Sequence, residues 1–154
     1  MQPATLCYVT NKKTGHTLML HRVKKQNDVH EGKWNGLGGK FEPGESPEEC
    51  VIREVKEESG LEITEPIMRG FITFPMFDGK KDWLVFIFTA DKFEGELINS
   101  AEGNLEWVPN KKLYELNLWE SDKIFFPWLE DDKFFSAKFV YENGELKYHT
   151  VNFY

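Results

Sequence analysis

The sequence predicts an α+β fold, with one mixed β-sheet and few helices. Two observations lead to this expectation: strand-like segments outnumber helical ones, and only one helix carries clear signals at both ends. No internal repeat, low-complexity tract or Ser/Gly-rich linker divides the 154 residues. We therefore expect residues 1–154 to form a single domain, a size at which one chain buries most of a compact core.

Seven segments rich in β-branched and aromatic residues predict strands. The last two flank Asn143-Gly144, a dipeptide that favours a type I′ turn, so they should form a hairpin. The predicted strands run from Thr5 to Val9, Thr17 to His21, Gly70 to Phe74, Trp83 to Ala90, Glu106 to Val108, Ala137 to Tyr141 and Leu146 to Phe153.

The best-signalled helix is expected from Pro47 to Ser59. Ser46 is an N-cap residue, Pro47 suits the first helical position, and Glu49 completes a capping box. Gly60 offers the left-handed conformation that ends many helices. Weaker helical patterns cover Lys111 to Leu116 and Asp122 to Glu130, the second interrupted by Pro127.

Composition and charge restrict the classes of function. The formal net charge of −7 disfavours binding to a nucleic-acid polymer, which usually needs a basic surface. No apolar stretch approaches the roughly 20 residues that cross a bilayer, so no membrane role is expected. The two cysteines lack a metal-ligand spacing and favour a reducing, cytoplasmic setting. A small phosphorylated ligand is compatible with this charge if divalent cations screen the repulsion.

One face of the predicted helix is acidic. At 100° per residue, Arg53, Glu54, Glu57 and Glu58 fall within one arc, opposite the apolar side chains. Glutamates this close repel one another unless a cation lies between them, and carboxylates suit Mg²⁺ or Mn²⁺. A simple ion pair between Arg53 and Glu57 is the alternative, but it leaves the other glutamates unexplained. Upstream, the glycine-rich turn from Gly36 to Gly39 permits close backbone approach to phosphate or metal.

Together these residues resemble the Nudix box, G-x5-E-x7-R-E-U-x-E-E-x-G-U, in which U is a bulky aliphatic residue. The resemblance implies a loop, a helix and a loop packed on a mixed sheet, in an enzyme that hydrolyses nucleoside diphosphate derivatives with Mg²⁺, or with Mn²⁺ in its place. Every fixed position between residues 39 and 61 matches: Gly39, Glu45, Arg53, Glu54, Val55, Glu57, Glu58, Gly60 and Leu61.

The resemblance also implies roles for the charged residues of the box. Glu54, Glu57 and Glu58 would hold the divalent ions. Glu45 and Arg53 would orient these carboxylates from a second shell around the metal. The ions would then polarise the phosphates and activate a water for attack on phosphorus.

Two further metal ligands are implied, one at the start of the box and one outside it. In relatives a backbone carbonyl of the glycine turn often contributes, which assigns Gly39 as a ligand. A carboxylate shortly before an aromatic strand is also frequent, and Glu102, five residues before Trp107, occupies that place. We expect Glu102 to act as a metal ligand or proton acceptor. The alternative is an exposed loop acid.

The resemblance extends beyond the box to MutT-type hydrolases of oxidised purine nucleoside triphosphates. It rests on Gly32–Lys40, on Trp119–Asp122 leading into Phe126–Leu129, and on the closing hairpin. By this resemblance Asn35 hydrogen-bonds the purine, since its amide offers both a donor and an acceptor.

The same resemblance assigns a wall and an edge of the base pocket. Trp119 would stack on the base and Asp122 would meet its Watson–Crick edge. Vertebrate-like relatives have two adjacent aspartates, and Ser121 stands in place of the first, which leaves the choice between oxidised guanine and oxidised adenine open. Phe74 and Trp83 align with apolar walls of this pocket. The alternative for both is an ordinary place in the core.

The sequence therefore predicts hydrolysis of 8-oxo-dGTP, or a close purine triphosphate, to the monophosphate and pyrophosphate. Three alternatives stay open: a Nudix hydrolase of ADP-ribose or a dinucleoside polyphosphate, a non-catalytic nucleotide-sensing module, and a structural interaction domain. The expected partner is a small nucleotide. Both a monomer and a homodimer are compatible with the sequence.

Overall fold

The computed structural model describes residues 1–154. Ten strands and two α-helices alternate with two short 3₁₀-helices at Asn110–Glu115 and Phe126–Glu130. The elements are β1 (Gln2–Asn11), β2 (His16–His21), β3 (Trp34–Asn35), α1 (Pro47–Ser59), β4 (Glu62–Thr64), β5 (Ile67–Phe74), β6 (Trp83–Ala90), β7 (Lys92–Glu94), β8 (Asn104–Pro109), α2 (Glu120–Phe125), β9 (Phe135–Glu142) and β10 (Glu145–Phe153).

Eight of the strands form one mixed sheet, in the order β10-β9-β5-β6-β1-β2-β3 with β8 beside β2. β1 pairs in parallel with β6, and β5 pairs in parallel with β9, whereas the remaining neighbours are antiparallel. β1 is long enough to serve both halves of the sheet, since residues 2–9 pair with β6 and Thr10 and Asn11 pair with β2. β4 and β7 form a separate two-stranded sheet.

Apolar side chains pack on both faces of the main sheet. On one face Val51 and Val55 of α1 join a buried cluster that includes Cys7 of β1. On the other face Phe125 of α2 packs in a second cluster with Phe139 of β9. The sheet therefore lies between helices, and the predicted α+β fold is confirmed.

Helix α1 begins and ends where the sequence predicts. The Ser46 hydroxyl accepts a hydrogen bond from the Glu49 amide at 3.1 Å, and the Glu49 carboxylate accepts one from the Ser46 amide at 3.0 Å. At the other end Gly60 adopts φ of +85° and donates its amide to the Lys56 carbonyl. This capping orients the first turn of the helix toward the loop that precedes it.

Some predicted boundaries differ from the structure. The strands β3, β4 and β7 were not predicted, because two or three residues show no periodicity of their own. The pattern at Lys111–Leu116 forms a 3₁₀-helix, and the segment Asp122–Glu130 is divided between α2 and a 3₁₀-helix. Pro127 explains the division because it has no amide to continue the α-helix. None of the helices has the length and apolarity that a membrane crossing requires.

Candidate active site

A cleft of about 470 Å³ brings together residues that are distant in the sequence. Its lining includes all five residues predicted to bind substrate, together with part of the acidic set. These residues are Asn35, Phe74, Trp83, Trp119 and Asp122, joined by Gly39, Glu54 and Glu102. The other predicted residues, Glu45, Arg53, Glu57 and Glu58, do not line the cleft.

The glycine turn lies against β1, antiparallel to it. The Thr5 amide donates to the Gly39 carbonyl at 2.9 Å, and the Leu37 amide donates to the Cys7 carbonyl at the same distance. Gly38 has φ of +153°, and a Cβ there would collide with the Thr5 carbonyl oxygen. The turn is therefore fixed to the strand by backbone hydrogen bonds and needs glycine at position 38.

Gly39 is in direct contact with helix α1. A Cβ on Gly39 would lie 2.5 Å from the carboxyl carbon of Glu54. The absence of a side chain thus lets the Glu54 carboxylate lie beside the turn. Besides the Thr5 amide, the Gly39 carbonyl receives only longer contacts, from the Thr5 hydroxyl at 3.5 Å and the Cys50 thiol at 3.6 Å, and a cation could take their place.

Arg53 organises the acids around it. Its Nε and Nη2 donate to the two oxygens of Glu45 at 2.7 and 2.9 Å. Its Nη1 donates to Glu54 at 2.8 Å and to Glu57 at 3.2 Å. These hydrogen bonds lower the pKa of Glu45 to about 2. Arg53 therefore keeps Glu45 ionised and holds Glu54 in a defined orientation.

Glu58 is a buried acid with an unsatisfied oxygen. It is 7% exposed, its Oε1 accepts from the Gly38 amide at 3.0 Å, and its Oε2 has no hydrogen-bond partner. Burial raises its pKa well above the usual range, and the charges of Glu102 and Glu54 raise it further. The Arg22 guanidinium, 3.5 Å from Glu102, only partly opposes this effect. An orphaned carboxylate oxygen among mutually repelling acids fits a divalent cation, which prefers oxygen ligands.

The acids do not already converge on one point. No group of three or more His, Cys, Asp or Glu side chains has an arrangement that could hold a metal ion. Arg53 holds Glu57, whose side chain is 57% exposed, outside the cleft. The donor set therefore fits a divalent cation in its chemistry, and the glutamates would have to approach one another to bind it.

Aromatic side chains surround Trp119. Its ring packs edge-on against Phe77 at 4.9 Å, and Lys33 Nζ lies 4.8 Å from its centroid. Asp122, three residues later, is 6% exposed, and burial raises its pKa to about 7. Asn35, the last residue of β3, is 9% exposed, and its strand pairs with β2. A planar surface, an amide and a carboxyl group with a raised pKa thus lie in one cleft.

Comparison with protein-family models matches residues 1–129 to the family described as NUDIX domain. The chain belongs to the Nudix family. The predicted resemblance to MutT-type enzymes is also confirmed. A crystal structure of a MutT protein from Bacillus halodurans is similar to this chain, with a TM-score of 0.86 and 32% sequence identity, and the match covers 99% of this chain and 98% of that one.

Two curated relatives of this Nudix hydrolase carry the name oxidized purine nucleoside triphosphate hydrolase. The protein of Danio rerio is 34% identical over 122 residues, which cover 79% of this chain and 78% of the relative. The protein of Mus musculus is 33% identical over 121 residues, with the same two shares. The prediction of an enzyme of the Nudix hydrolase family is therefore confirmed.

In this Nudix hydrolase Ser121 is held by Tyr141. The Tyr141 hydroxyl accepts from the Ser121 amide and donates to the Ser121 hydroxyl oxygen, both at 2.9 Å. Because Tyr141 uses its own proton for this bond, the Ser121 proton is free for another acceptor. Where the vertebrate-like pattern has a carboxylate acceptor, this cleft has a fixed hydroxyl that can donate.

The sequence reasoning missed Tyr8 and His30, which also line the cleft. The Tyr8 hydroxyl is buried and has no hydrogen-bond partner. Alternation along β1 could have indicated Tyr8, because it shares one face with Ala4 and Leu6, which line the same cleft. His30 lies in the connection between β2 and β3, where no periodic pattern points to a role.

Proposed function

We propose that this Nudix hydrolase is an Mg²⁺-dependent pyrophosphohydrolase that cleaves an oxidised purine nucleoside triphosphate, such as 8-oxo-dGTP, to the monophosphate and pyrophosphate. The observation that carries the proposal is that the five candidate base-binding residues line the same cleft as Gly39 and Glu54 of the box and as Glu102. The names of the two curated relatives support the same substrate class. Its role would be sanitation of the nucleotide pool in the cytoplasm, by a single-domain protein acting as a monomer or a homodimer.

The metal would be held by the glutamates beside the glycine turn. The ligands would be Glu54, Glu57 and Glu58, the Gly39 carbonyl and Glu102. When bound, Mg²⁺, or Mn²⁺ in its place, neutralises phosphate charge and lowers the pKa of a bound water.

The residues of the chain then perform three tasks at the phosphates. Arg53 keeps Glu54 oriented through the 2.8 Å hydrogen bond, with Glu45 as the second anchor of the guanidinium. Glu102, whose side chain lines the cleft and is 37% exposed, would act either as a further metal ligand or as the acceptor of the proton of the attacking water. Lys40 also lines the cleft and offers a positive charge to the triphosphate.

The nucleoside would be held by the other side of the cleft. Trp119 offers a face for stacking, and Phe74 and Trp83 add apolar walls. Asn35 offers a donor and an acceptor to the base edge. Because the pKa of Asp122 is about 7, both its protonated and ionised forms are populated at neutral pH. Asp122 can therefore donate to, or accept from, the Watson–Crick edge of a purine.

The deciding experiment measures pyrophosphate release with Mg²⁺ from 8-oxo-dGTP, dGTP and 2-oxo-dATP, and phosphate-bond cleavage in ADP-ribose and diadenosine tetraphosphate. We expect kcat/KM near ~10⁵ M⁻¹s⁻¹ or above on 8-oxo-dGTP and far less on dGTP. Glu57→Gln should abolish turnover with an unchanged melting curve. Glu48→Gln is the matched control, because Glu48 is an exposed acid of the same helix at a variable position of the box.

Two results would contradict the proposal in different ways. Fast cleavage of ADP-ribose or the dinucleotide alone would leave the hydrolase chemistry intact and refute the base assignment. Tight nucleotide binding without turnover of any substrate would favour a sensing module, against which the complete set of box carboxylates argues.

A further inference from the structure

His30 is half-buried and packs against two aromatic side chains at the wall of the cleft. Its ring stacks on Phe77 with centroids 5.8 Å apart and meets Trp119 edge-on at an angle of 87°. The Trp119 indole Nε1 donates a hydrogen bond to His30 Nδ1 at 2.8 Å. The imidazole therefore contacts the residue that our proposed function assigns to base stacking.

This hydrogen bond determines where the imidazole carries its proton. An indole N–H can only donate, so Nδ1 of His30 must present its lone pair. Burial, and next the charge of Arg22, lower the pKa of His30 to about 4, although Asp28 acts in the opposite direction. At neutral pH the ring is thus uncharged, with its single proton on Nε2.

The Nε2–H group has no acceptor within the protein. The only hydrogen bond of the His30 side chain is the one from Trp119. Nε2 has no partner in the protein, and it is not fully buried. Nε2 is therefore open to solvent, and His30 lines the cleft. The tautomer that Trp119 selects leaves a donor available to a bound molecule.

We propose that His30 is a specificity-determining residue with two roles: Nδ1 positions the Trp119 indole, and Nε2–H donates to an oxygen acceptor on the nucleoside part of the nucleotide. The second role rests on the proposed function, because it requires a nucleoside in this cleft. The first role concerns the protein alone. A neutral donor favours an oxygen acceptor such as a base carbonyl over a second donor at the same place.

Three substitutions separate the two roles. His30→Asn places an amide oxygen near the position of Nδ1 and lacks a donor near that of Nε2. His30→Gln reaches the position of Nε2 and lacks the acceptor near Nδ1. His30→Phe keeps an aromatic ring and lacks both groups. His149→Phe is the control, because His149 is exposed and lies outside the cleft.

The first measurement is the ¹H–¹⁵N indole resonance of Trp119 in protein labelled at its five tryptophans, assigned through Trp119→Phe. It needs no nucleotide. We expect His30→Asn to keep the wild-type position and His30→Phe and His30→Gln to shift it toward that of a water-bonded indole. An unmoved resonance in His30→Phe would overturn the positioning role.

The second measurement is the Kd of 8-oxo-dGMP and of inorganic pyrophosphate by calorimetry. We expect His30→Asn to raise the Kd of 8-oxo-dGMP about tenfold and His30→Phe to raise it further. Neither substitution should change the Kd of pyrophosphate. Equal 8-oxo-dGMP affinity in wild type and His30→Asn would overturn the donor role. If the wild type binds no nucleoside monophosphate, the proposed function and the donor role both fail, whereas the indole resonance still decides the positioning role.

Discussion

The buried carboxyl of Asp122 should make the stability of the protein depend on pH. Burial raises its pKa from 3.8 to about 7. The folded state therefore binds the proton more tightly than the unfolded state. Below about pH 4 both states are protonated and the carboxyl contributes no penalty. As the pH rises to about 7, the unfolded state ionises first, so the free energy of unfolding falls.

The magnitude follows from the size of the shift. Each pKa unit corresponds to about 1.36 kcal/mol, so a shift of about three units costs the folded protein roughly 4 kcal/mol above pH 7. Asp122→Asn removes the titration and keeps the shape of the side chain. We expect the free energy of unfolding of the variant, relative to that of the wild type, to increase by about 3 kcal/mol between pH 5 and pH 8.

Urea denaturation of both proteins at pH 5, 6, 7 and 8 measures this difference, with Glu48→Gln as the control for an exposed carboxyl. Parallel curves of unfolding free energy against pH for the wild type and Asp122→Asn would refute the reasoning, because they would show that Asp122 titrates alike in both states. A relative stabilisation of the variant at low pH instead of high pH would show that the pKa of Asp122 is lowered, not raised, in the folded protein.

Three further substitutions test other parts of the cleft. Tyr8→Phe removes a buried hydroxyl without a partner, so we expect about 1 kcal/mol of added stability in urea together with weaker nucleotide binding; a loss of stability would show that the hydroxyl has a partner. Gly39→Ala places a Cβ 2.5 Å from the Glu54 carboxyl carbon, so kcat should fall on the order of 10²-fold, and unchanged kcat would show that this contact is dispensable. Glu58→Gln removes a buried carboxyl whose ionisation is opposed by burial, so without metal it should melt above the wild type. Millimolar Mg²⁺ should raise the melting temperature of the wild type only; an equal Mg²⁺ effect in both would exclude Glu58 as a ligand.

Local sequence signals predicted those parts of the fold that local interactions determine. Helix α1 matches its prediction from Pro47 to Ser59, because the caps that bound it are within a few residues of its ends. By contrast, β3 is a strand because it pairs with β2, and β4 is a strand because it pairs with β7. A segment of two or three residues is too short for its sequence to predict such pairing.

The candidate site shows the same division. Spacing placed Glu54 and Glu58 on one face of α1, but it could not show that Glu58 is buried under the glycine turn whereas Glu57 is exposed. That difference arises from the docking of Gly38 and its neighbours on β1. His30 was missed for a similar reason, since its contact with Trp119 joins two connections 89 residues apart.

Strand β1 fixes the distance between two parts of the cleft wall. The glycine turn runs beside it from Gly36, where a Cβ would touch the Tyr8 ring at 2.9 Å, to Gly39, which Thr5 binds. Residues 5 to 8 of an extended strand span about 10 Å. The strand thus fixes the separation between the Tyr8 ring and the turn that Glu54 contacts. If the cleft binds the nucleotide as proposed, this separation sets how many phosphates lie between the base and the acids.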